Sequence, residues 1–484
     1  MKLIRIGAIL KVLGVLLLIV ALVQALCIPI SYYFRTGHGS DFISSVLLNF
    51  LFGGLLLFWS SKKDQTVNKR EGYLIVLLAW ISLWISSSLP YVLSGVFGSF
   101  TDIFFETMSG LSTTGATIID DIESFPKDIL LWRSFTQWLG AMGFIVLTVA
   151  LLPILGIGGI ELFVAEAPGP TSEKLHPRIK DTATALWRIY LGLTIILFPL
   201  LMYGGMNWFD ALNHALTTMA TGGFSTKNES AAYFNPQIQY IMVVFMFLSG
   251  VNFSLHYLFL RGKFKQVFQS DELKVYFGLV ILMSVFVTFS VFQTADVTLS
   301  RAFRDSLFQV VSIVTTTGFV TADYTSWSPL LTALFFVLLF AGASAGSTSG
   351  GIKIIRHTVM FKNTLLEFKR LLHPRAMIRL KINKKIVPPK VLTHVMVFYI
   401  LFMGTFLTGT FLVILSGEEI ITSIGAVATS ISNVGPGIGE VGPVNNFANL
   451  NGNAKWILAW IMLIGRLEIF TVFIILTPYF WRHN

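Results

Sequence analysis

SIVTTTGFV, Ser312 to Val320, closes a short apolar segment with three threonines and a glycine. It belongs to FRDSLFQVVSIVTTTGFVTADY, 303–324, and the same chemistry recurs in TDIFFETMSGLSTTGATIIDD, 101–121, and WFDALNHALTTMATGGFSTKNE, 208–229. A weaker fourth copy is ITSIGAVATSISNVGPGIGEVG, 421–442. Aligned on Gly115, Gly223, Gly318 and Gly435, the units carry Asp102, Asp210, Asp305 and Thr422 thirteen residues upstream. All four upstream residues are types that cap helix N-termini by accepting from free backbone N–H groups. A helix of about ten residues is predicted after each cap, ending where the Thr/Ser/Gly-rich stretch begins. At the α-helical rise it reaches about 15–18 Å, roughly half a bilayer.

The sequence around these units is built for lipid. The chain has 484 residues, 54% of them hydrophobic and only 12% charged, too little charge to cover a soluble domain. Ten apolar windows are long enough, or nearly so, to span a membrane: near 12–30, 43–60, 73–98, 132–156, 184–203, 238–260, 274–294, 329–361, 391–415 and 456–480. Their continuity excludes the alternating code of a membrane barrel. Each predicted half-helix falls between two windows, so the repeated unit is span, half-helix, non-helical return, span. Two further spans precede the first unit. The expected fold is an all-α polytopic membrane protein with four such repeats around one pore. The predicted division is 1–70 for the leading spans, then repeats at 71–165, 166–266, 267–385 and 386–484.

Charge gives the orientation. Residues 356–390 hold ten Lys/Arg against the single acid Glu367, and 62–70 (KKDQTVNKR), 174–180 (KLHPRIK) and 261–265 (RGKFK) are also basic. Asp120, Asp121, Glu123, Asp128, Glu418, Glu419 and Glu440 lie in the intervening connections. The basic set is expected in the cytosol and the acidic set outside. The 356–390 block serves either topology and anionic lipid or docking of a cytosolic partner; nucleic acid is disfavoured because no recognition motif accompanies the charge. The one cysteine, Cys27, excludes an internal disulfide and a cysteine-based metal cluster and is expected as a buried structural thiol. Lys2, Arg5 and Lys11 ahead of an apolar run resemble a signal peptide, but Leu26 before Cys27 does not suit lipoprotein cleavage, and the segment is expected as an uncleaved span.

Non-helical backbone survives at membrane depth only where protein buries it or water reaches it. Four such returns around one axis form a pore lined by main-chain carbonyls, with the partially negative C-terminal ends of four half-helices aimed at its centre. Carbonyls and threonine hydroxyls are hard, neutral ligands able to replace the water of a monovalent cation, and glycine lets the carbonyls turn inward. The alternative, re-entrant turns that merely pack helices, does not account for four copies at constant spacing.

STTGAT (112–117), ATGGFST (220–226), TTTGFVT (315–321) and SNVGPGIG (432–439) closely resemble the TrkH/TrkG/KtrB superfamily of potassium transporters over essentially the whole chain. The leading pair of spans is similar to the TrkH branch. The resemblance implies a K⁺-translocating subunit of the bacterial inner membrane, a homodimer, and a cytosolic ring of TrkA-like nucleotide-binding regulatory subunits. It also implies a filter of Thr113, Thr114 and Gly115; Thr221, Gly222 and Gly223; Thr316, Thr317 and Gly318; and Asn433, Val434 and Gly435. The fourth loop departs from the threonine pattern, with Asn-Val before its glycine and Pro436 after it, so an asymmetric ring is expected. No loop has the longer TVGYG run of tetrameric potassium channels, so fewer ordered ion sites, weaker rejection of Na⁺ and ready passage of Rb⁺ are expected.

Two further features lie in the spans. GASAGSTSGG, residues 342–351, consists of Gly342, Ala343, Ser344, Ala345, Gly346, Ser347, Thr348, Ser349, Gly350 and Gly351. It serves either close helix packing or a break in the helix, since each glycine costs a helix roughly 1 kcal/mol relative to alanine. The resemblance implies the second, an intramembrane gate loop. Arg466 lies in AWIMLIGRLEIFTVFIIL, 459–476, where an arginine costs about 2.5–3.5 kcal/mol at mid-span and needs water or a partner. Glu468 points elsewhere on a continuous helix. The choices are an ion pair with an acid of another helix or, as the resemblance implies, a positive barrier beside the gate loop. His214 is expected to pack or hydrogen-bond behind the filter, Lys353 to snorkel or bond the loop, and Glu106 to sit near a helix N-terminus. Trp59, Trp132, Trp327 and Trp481 are expected as interfacial anchors.

No P-loop and no strand–glycine–helix fingerprint appears, so nucleotide is expected only on the partner, with K⁺ as the transported ion and no covalent cofactor. A Na⁺-coupled K⁺ carrier of KtrB type is the alternative within transport. An intramembrane enzyme, the remote alternative, needs converging His, Asp or Ser groups, and the eight histidines are scattered.

Overall fold

A computed structural model of the chain describes residues 6–60, 69–155 and 179–482. The basic stretches at 62–68 and 174–178, with Lys2 and Arg5, lie outside the described residues. Helices Ile6–Ala25 and Cys27–Phe34 form one leading span, kinked at Leu26, and Gly39–Trp59 forms the second. Cys27 is buried at that kink.

Four helix sets follow. Lys69–Ser94, the half-helix Phe100–Leu111 and Lys127–Leu155 form the first; Ile179–Tyr203, Trp208–Met219 and Pro236–Gly250 with Phe253–Leu260 the second. The third is Asp271–Thr294, Leu299–Val314, Pro329–Leu338 and Ile354–Leu372; the fourth is Pro389–Leu415, Ile420–Ser432 and Gly452–Arg466 with Phe470–Leu476. Among the described residues six helices are long and apolar enough to cross a membrane, or eight if each bent pair counts as one span. The arrangement is that of an all-α, multi-pass membrane protein. A small hairpin, Lys381–Ile382 paired antiparallel with Lys385–Ile386, is the one sheet among the described residues.

The half-helices exist because their starts and ends are both specified. Their caps lie earlier than the sequence analysis placed them: Ser99, Asn207 and Thr298 cap the first three through side-chain oxygens, and Glu419 stands at the fourth start. Asp102 and Asp210 sit three residues inside and bond back to their caps, Ser99 Oγ to Asp102 at 2.8 Å and Asn207 Nδ2 to Asp210 at 2.6 Å. This reciprocal arrangement puts the acid in the first turn and the shorter polar residue at the cap. The third half-helix is longer, so Asp305 lies beyond its first turn, 3.5 Å from Arg301 and 3.3 Å from Arg304.

The second helices of sets two, three and four all break, whereas the sequence analysis placed a break only in the third. Pro236–Gly250 turns into Phe253–Leu260 at 99°, and Gly452–Arg466 into Phe470–Leu476 at 109°. In set three, residues 339–353 are non-helical. The breaks of sets two and three satisfy one another: Ser344 N donates to Gly250 O at 3.0 Å, Phe253 N to Gly346 O at 3.0 Å and Thr348 N to Ser249 O at 3.4 Å. Backbone groups freed at membrane depth need such protein partners, and here they lie about a hundred residues apart in sequence. Arg466 is therefore the last residue of a helix, not the middle of a continuous one. Trp132 is not interfacial either; it is buried, with its indole N–H on Ser87 O at 2.9 Å. Trp59 and Trp481 are exposed, as an anchor requires, and Trp327 packs against Phe335.

Candidate functional site

Each half-helix ends in the same two-bond turn. Thr113 N donates to Gly110 O at 3.0 Å and Thr114 N to Ser109 O at 2.9 Å. The equivalents are Thr221 to Thr218 at 3.0 Å and Gly222 to Thr217 at 2.9 Å; Thr316 to Ile313 at 2.9 Å and Thr317 to Ser312 at 2.8 Å; and Asn433 to Ser430 at 3.3 Å and Val434 to Thr429 at 3.1 Å. This is the Schellman pattern, whose hinge residue is left-handed. The hinge φ values are 56°, 51°, 55° and 54° for Thr113, Thr221, Thr316 and Asn433. Glycine or asparagine ordinarily fills that position. Three threonines there hold roughly 1–3 kcal/mol of strain each, which marks their hydroxyls as wanted. The fourth loop, irregular in sequence, takes the same backbone with the less strained asparagine.

Two residues on, Gly115, Gly223, Gly318 and Gly435 are left-handed again, at φ 80°, 77°, 83° and 107°. A Cβ on Gly115 would collide with Gly222 O, one on Gly223 with Thr317 O, and one on Gly318 with Val434 O; one on Gly435 would come within 2.8 Å of Thr114 O. Each loop thus lays its glycine on the carbonyl of the next, and the fourth returns to the first. The twelve residues predicted from the sequence are brought together as a closed ring of four carbonyls, those of Thr114, Gly222, Thr317 and Val434. Buried beside it, Thr113 Oγ1 and Asn433 Oδ1 have no protein partner, and buried polar atoms are normally satisfied. Neutral oxygens so arranged suit a partly dehydrated monovalent cation.

The ring is supported from behind by buried side chains, of which Arg133, Gln137 and Tyr324 carried no assignment from the sequence. Arg133, buried, pairs with buried Glu106 at 2.7 Å and donates to Thr117 Oγ1 at 3.1 Å, while Ile118 N donates to Glu106 at 3.0 Å. Glu106 therefore serves loop one directly, through Ile118 N and Thr117 Oγ1, and through Arg133, rather than through a helix N-terminus. The one available signal was Arg133 itself, a charge at the head of an apolar window. Gln137 Nε2 donates to Gly222 O at 2.6 Å. His214, as expected, bonds behind loop two, Nδ1 to Asp210 O at 2.8 Å and Nε2 to Ser225 Oγ at 3.0 Å. Since a carbonyl only accepts, Nδ1 carries the proton and Ser225 donates to Nε2. Thr226 Oγ1 donates to Asp210 at 2.6 Å, and Tyr324 OH ties loop three to loop four through Gly437 O at 2.7 Å.

Residues 342–351 cross against the side of the ring where the half-helices end. Gly350 N donates to Thr316 Oγ1 at 2.7 Å, and a Cβ on Gly350 would meet Ser432 O. Ala345 N donates to the buried carboxylate of Glu272 at 2.8 Å. Lys353 Nζ donates to Ser349 O, and to Gly350 O at 3.4 Å, so it bonds the loop. Arg466 is 2% exposed and donates from Nη1 to Thr348 O at 3.0 Å. Glu468 pairs with Arg356 at 2.6 Å.

On the acidic side, short ties join the loop exits. Asn228 donates to Asp121 at 2.9 Å and accepts from Ile122 N at 2.7 Å; Asn446 donates to Asp120 at 2.8 Å. The Asn228 amide is the main cause holding the Asp121 carboxyl below its ordinary pKa. Among the described residues no three His, Cys, Asp or Glu side chains gather as a metal-ion site.

Half-helices meeting in a ring of carbonyls, inside a multi-pass helical membrane protein, define a membrane transport protein. The family described as "TrkH: Cation transport protein" matches residues 38–480. The Trk system potassium uptake protein TrkH of Salmonella typhimurium is 38% identical over 98% of this chain and 99% of its own length, and that of Halomonas elongata 40% identical over the same shares. The crystal structure of the potassium transporter TrkH from Vibrio parahaemolyticus superposes with a TM-score of 0.90 at 37% identity, covering 98% of this chain and 99% of that one. The chain belongs to the TrkH family of cation transport proteins, as its four loops led one to expect, and this is a family of transporters rather than enzymes.

Proposed function

We propose that this chain is the K⁺-translocating subunit of a Trk-type uptake system of the bacterial inner membrane. The closed ring of Thr114, Gly222, Thr317 and Val434 carbonyls carries this reading. Thr113, Thr114, Gly115, Thr221, Gly222, Gly223, Thr316, Thr317, Gly318, Asn433, Val434 and Gly435 form the selectivity filter, one loop from each repeat at 71–165, 166–266, 267–385 and 386–484. Gly342–Gly351 is the gate, and Arg466 adds a fixed positive charge that raises the barrier for a cation leaving the ring. Two observations support the gate: the loop is non-helical, and it touches both Thr316 and Arg466.

The protein works as a homodimer on a cytosolic ring of TrkA-like subunits that bind ATP, ADP or NAD(H). The basic 356–390 segment, which takes in most of the helix Ile354–Leu372 and the hairpin Lys381–Ile386 after it, is the docking surface.

Reconstitution in liposomes tests the reading. A K⁺ gradient should drive flux that exceeds Na⁺ flux, admits Rb⁺, and rises or falls with the cytosolic subunit and its nucleotide. Equal K⁺ and Na⁺ flux removes the filter, and flux that needs Na⁺ replaces this reading with the coupled carrier. Light scattering of the purified protein should give two copies per particle; one copy removes the dimer.

A further inference from the structure

We propose that Gln137 is a specificity-determining positioning residue, which fixes the loop-two carbonyl of the ring from behind. The proposal rests on the ring being the filter. Gln137 is fully buried on the helix Lys127–Leu155. Its Nε2 donates to Gly222 O at 2.6 Å and its Oε1 accepts from Phe224 N at 3.2 Å, so one amide grips the loop on both sides of Gly223. The two partners leave the amide a single orientation, because a carbonyl must accept and a backbone N–H must donate. Among the described residues, no side chain donates to the other three ring carbonyls, of Thr114, Thr317 and Val434.

This contact explains why loop two reads Thr-Gly-Gly where loops one and three read Thr-Thr-Gly. In those loops the second threonine braces its own turn: Thr114 Oγ1 lies 2.7 Å from Ser112 Oγ, and Thr317 Oγ1 2.7 Å from Thr315 Oγ1. Gly222 is not among the residues with positive φ, so its backbone accepts any side chain. What forbids one is space: a Cβ there would fall on the Gln137 amide. Loop two has given up its internal brace for an external one. A carbonyl with one lone pair engaged by an amide is a weaker and less movable ligand than its three neighbours, and ion preference follows the field and freedom of the coordinating carbonyls. Gln137 thereby sets the field on one side of the ring, beside Gly115 of loop one.

The test is the K⁺/Na⁺ permeability ratio of the reconstituted full chain. Gln137→Ala and the near-isosteric Gln137→Met, which fills the same space with neither donor nor acceptor, should each lower the ratio by about tenfold. The double variant Gln137→Ala with Gly222→Thr rebuilds the loop-one pattern in the vacated space and should recover the ratio to within about twofold of the unsubstituted protein. A role in packing alone predicts no such rescue. An unchanged ratio in folded Gln137→Met, or a double variant no better than Gln137→Ala, overturns the proposal. Gly318→Ser is measured alongside. If it too leaves the ratio unchanged, the filter reading fails; if it alone lowers the ratio, only the role of Gln137 fails.

Discussion

Loops one and two of the ring are held from behind by buried side chains of neighbouring helices, whereas loops three and four meet the backbone of a non-helical stretch. Behind the first pair stand the Glu106–Arg133 ion pair, the Gln137 amide and the His214–Ser225 bond, all on helices without a break beside the ring. The second pair meets the 342–351 stretch, through Thr316 Oγ1 on Gly350 N and through Ser432 beneath Gly350, and that stretch is in turn held by Arg466 and Lys353. One backbone pattern is thus supported in two ways. The braced half keeps carbonyl positions fixed, which selectivity needs. The other half gives a non-helical segment direct access to the ring, which control of conduction needs.

The braced half is best broken at its ion pair. Arg133→Ala leaves Glu106 as an uncompensated buried charge, a change that costs roughly 3–5 kcal/mol. Thermal unfolding of the detergent-solubilised protein should shift strongly downward, with low yield of folded material. The pair Glu106→Gln with Arg133→Met removes both charges and should recover most of the loss. Equal stability of Arg133→Ala and the unsubstituted protein would show that the pair is not a brace.

The ring itself is the next target, and its two most different loops give the contrast. Gly318 combines φ 83° with a collision of any Cβ on Val434 O, while Gly435 at φ 107° leaves 2.8 Å to Thr114 O. Gly318→Ser should lower the K⁺/Na⁺ permeability ratio by at least about tenfold, and Gly435→Ser by less. The reverse order would place the narrow part of the ring at the fourth loop.

How much of this was legible in the sequence follows from the range over which each feature is determined. The four loops were visible because a Schellman turn and a left-handed glycine are local demands, met by residues within six positions of each other. The fourth was recognisable even as Asn-Val-Gly, since asparagine satisfies the same hinge. The caps were misplaced by three residues at Asp102, Asp210 and Thr422 because an acid in the first turn and a residue at the cap favour overlapping types. Breaks at 251–252 and 467–469 were hidden inside apolar windows: the groups freed at the first are satisfied by residues 342–351, far along the chain, and the second carries no glycine or proline to mark it. Glu106 and Arg133 are 27 positions apart and Gln137 lies 85 from Gly222; no spacing rule joins them. The closing of the ring, with each glycine on the next carbonyl, is likewise a property of four segments together.

The half that meets the 342–351 stretch is probed first at Arg466. Its guanidinium is fully inside the protein, on the carbonyl of Thr348, so Arg466→Ala removes both the positive charge and the hold on the stretch. Basal K⁺ flux without the cytosolic partner should rise severalfold, while the K⁺/Na⁺ ratio stays near that of the unsubstituted protein because the braced loops are untouched. A folded variant with ordinary flux would exclude Arg466 from the barrier. A lost ratio would mean that the two halves are not independent.

Thr316→Val is the finest cut, because it divides the two roles of a single residue. Valine keeps the β-branched shape and the strained left-handed hinge, but it offers no oxygen to Gly350 N, now 2.7 Å from the hydroxyl. A hydrogen bond within a membrane protein is worth about 0.6 kcal/mol on average, so the rise in basal flux should be about twofold to threefold, smaller than for Arg466→Ala. Thr316→Ser, which restores the acceptor, should return the flux to its starting value. If valine instead lowers the K⁺/Na⁺ ratio and leaves basal flux alone, the hydroxyl serves the ion rather than the 342–351 stretch, and Thr316 belongs with the ring ligands on the same footing as the unpartnered Thr113.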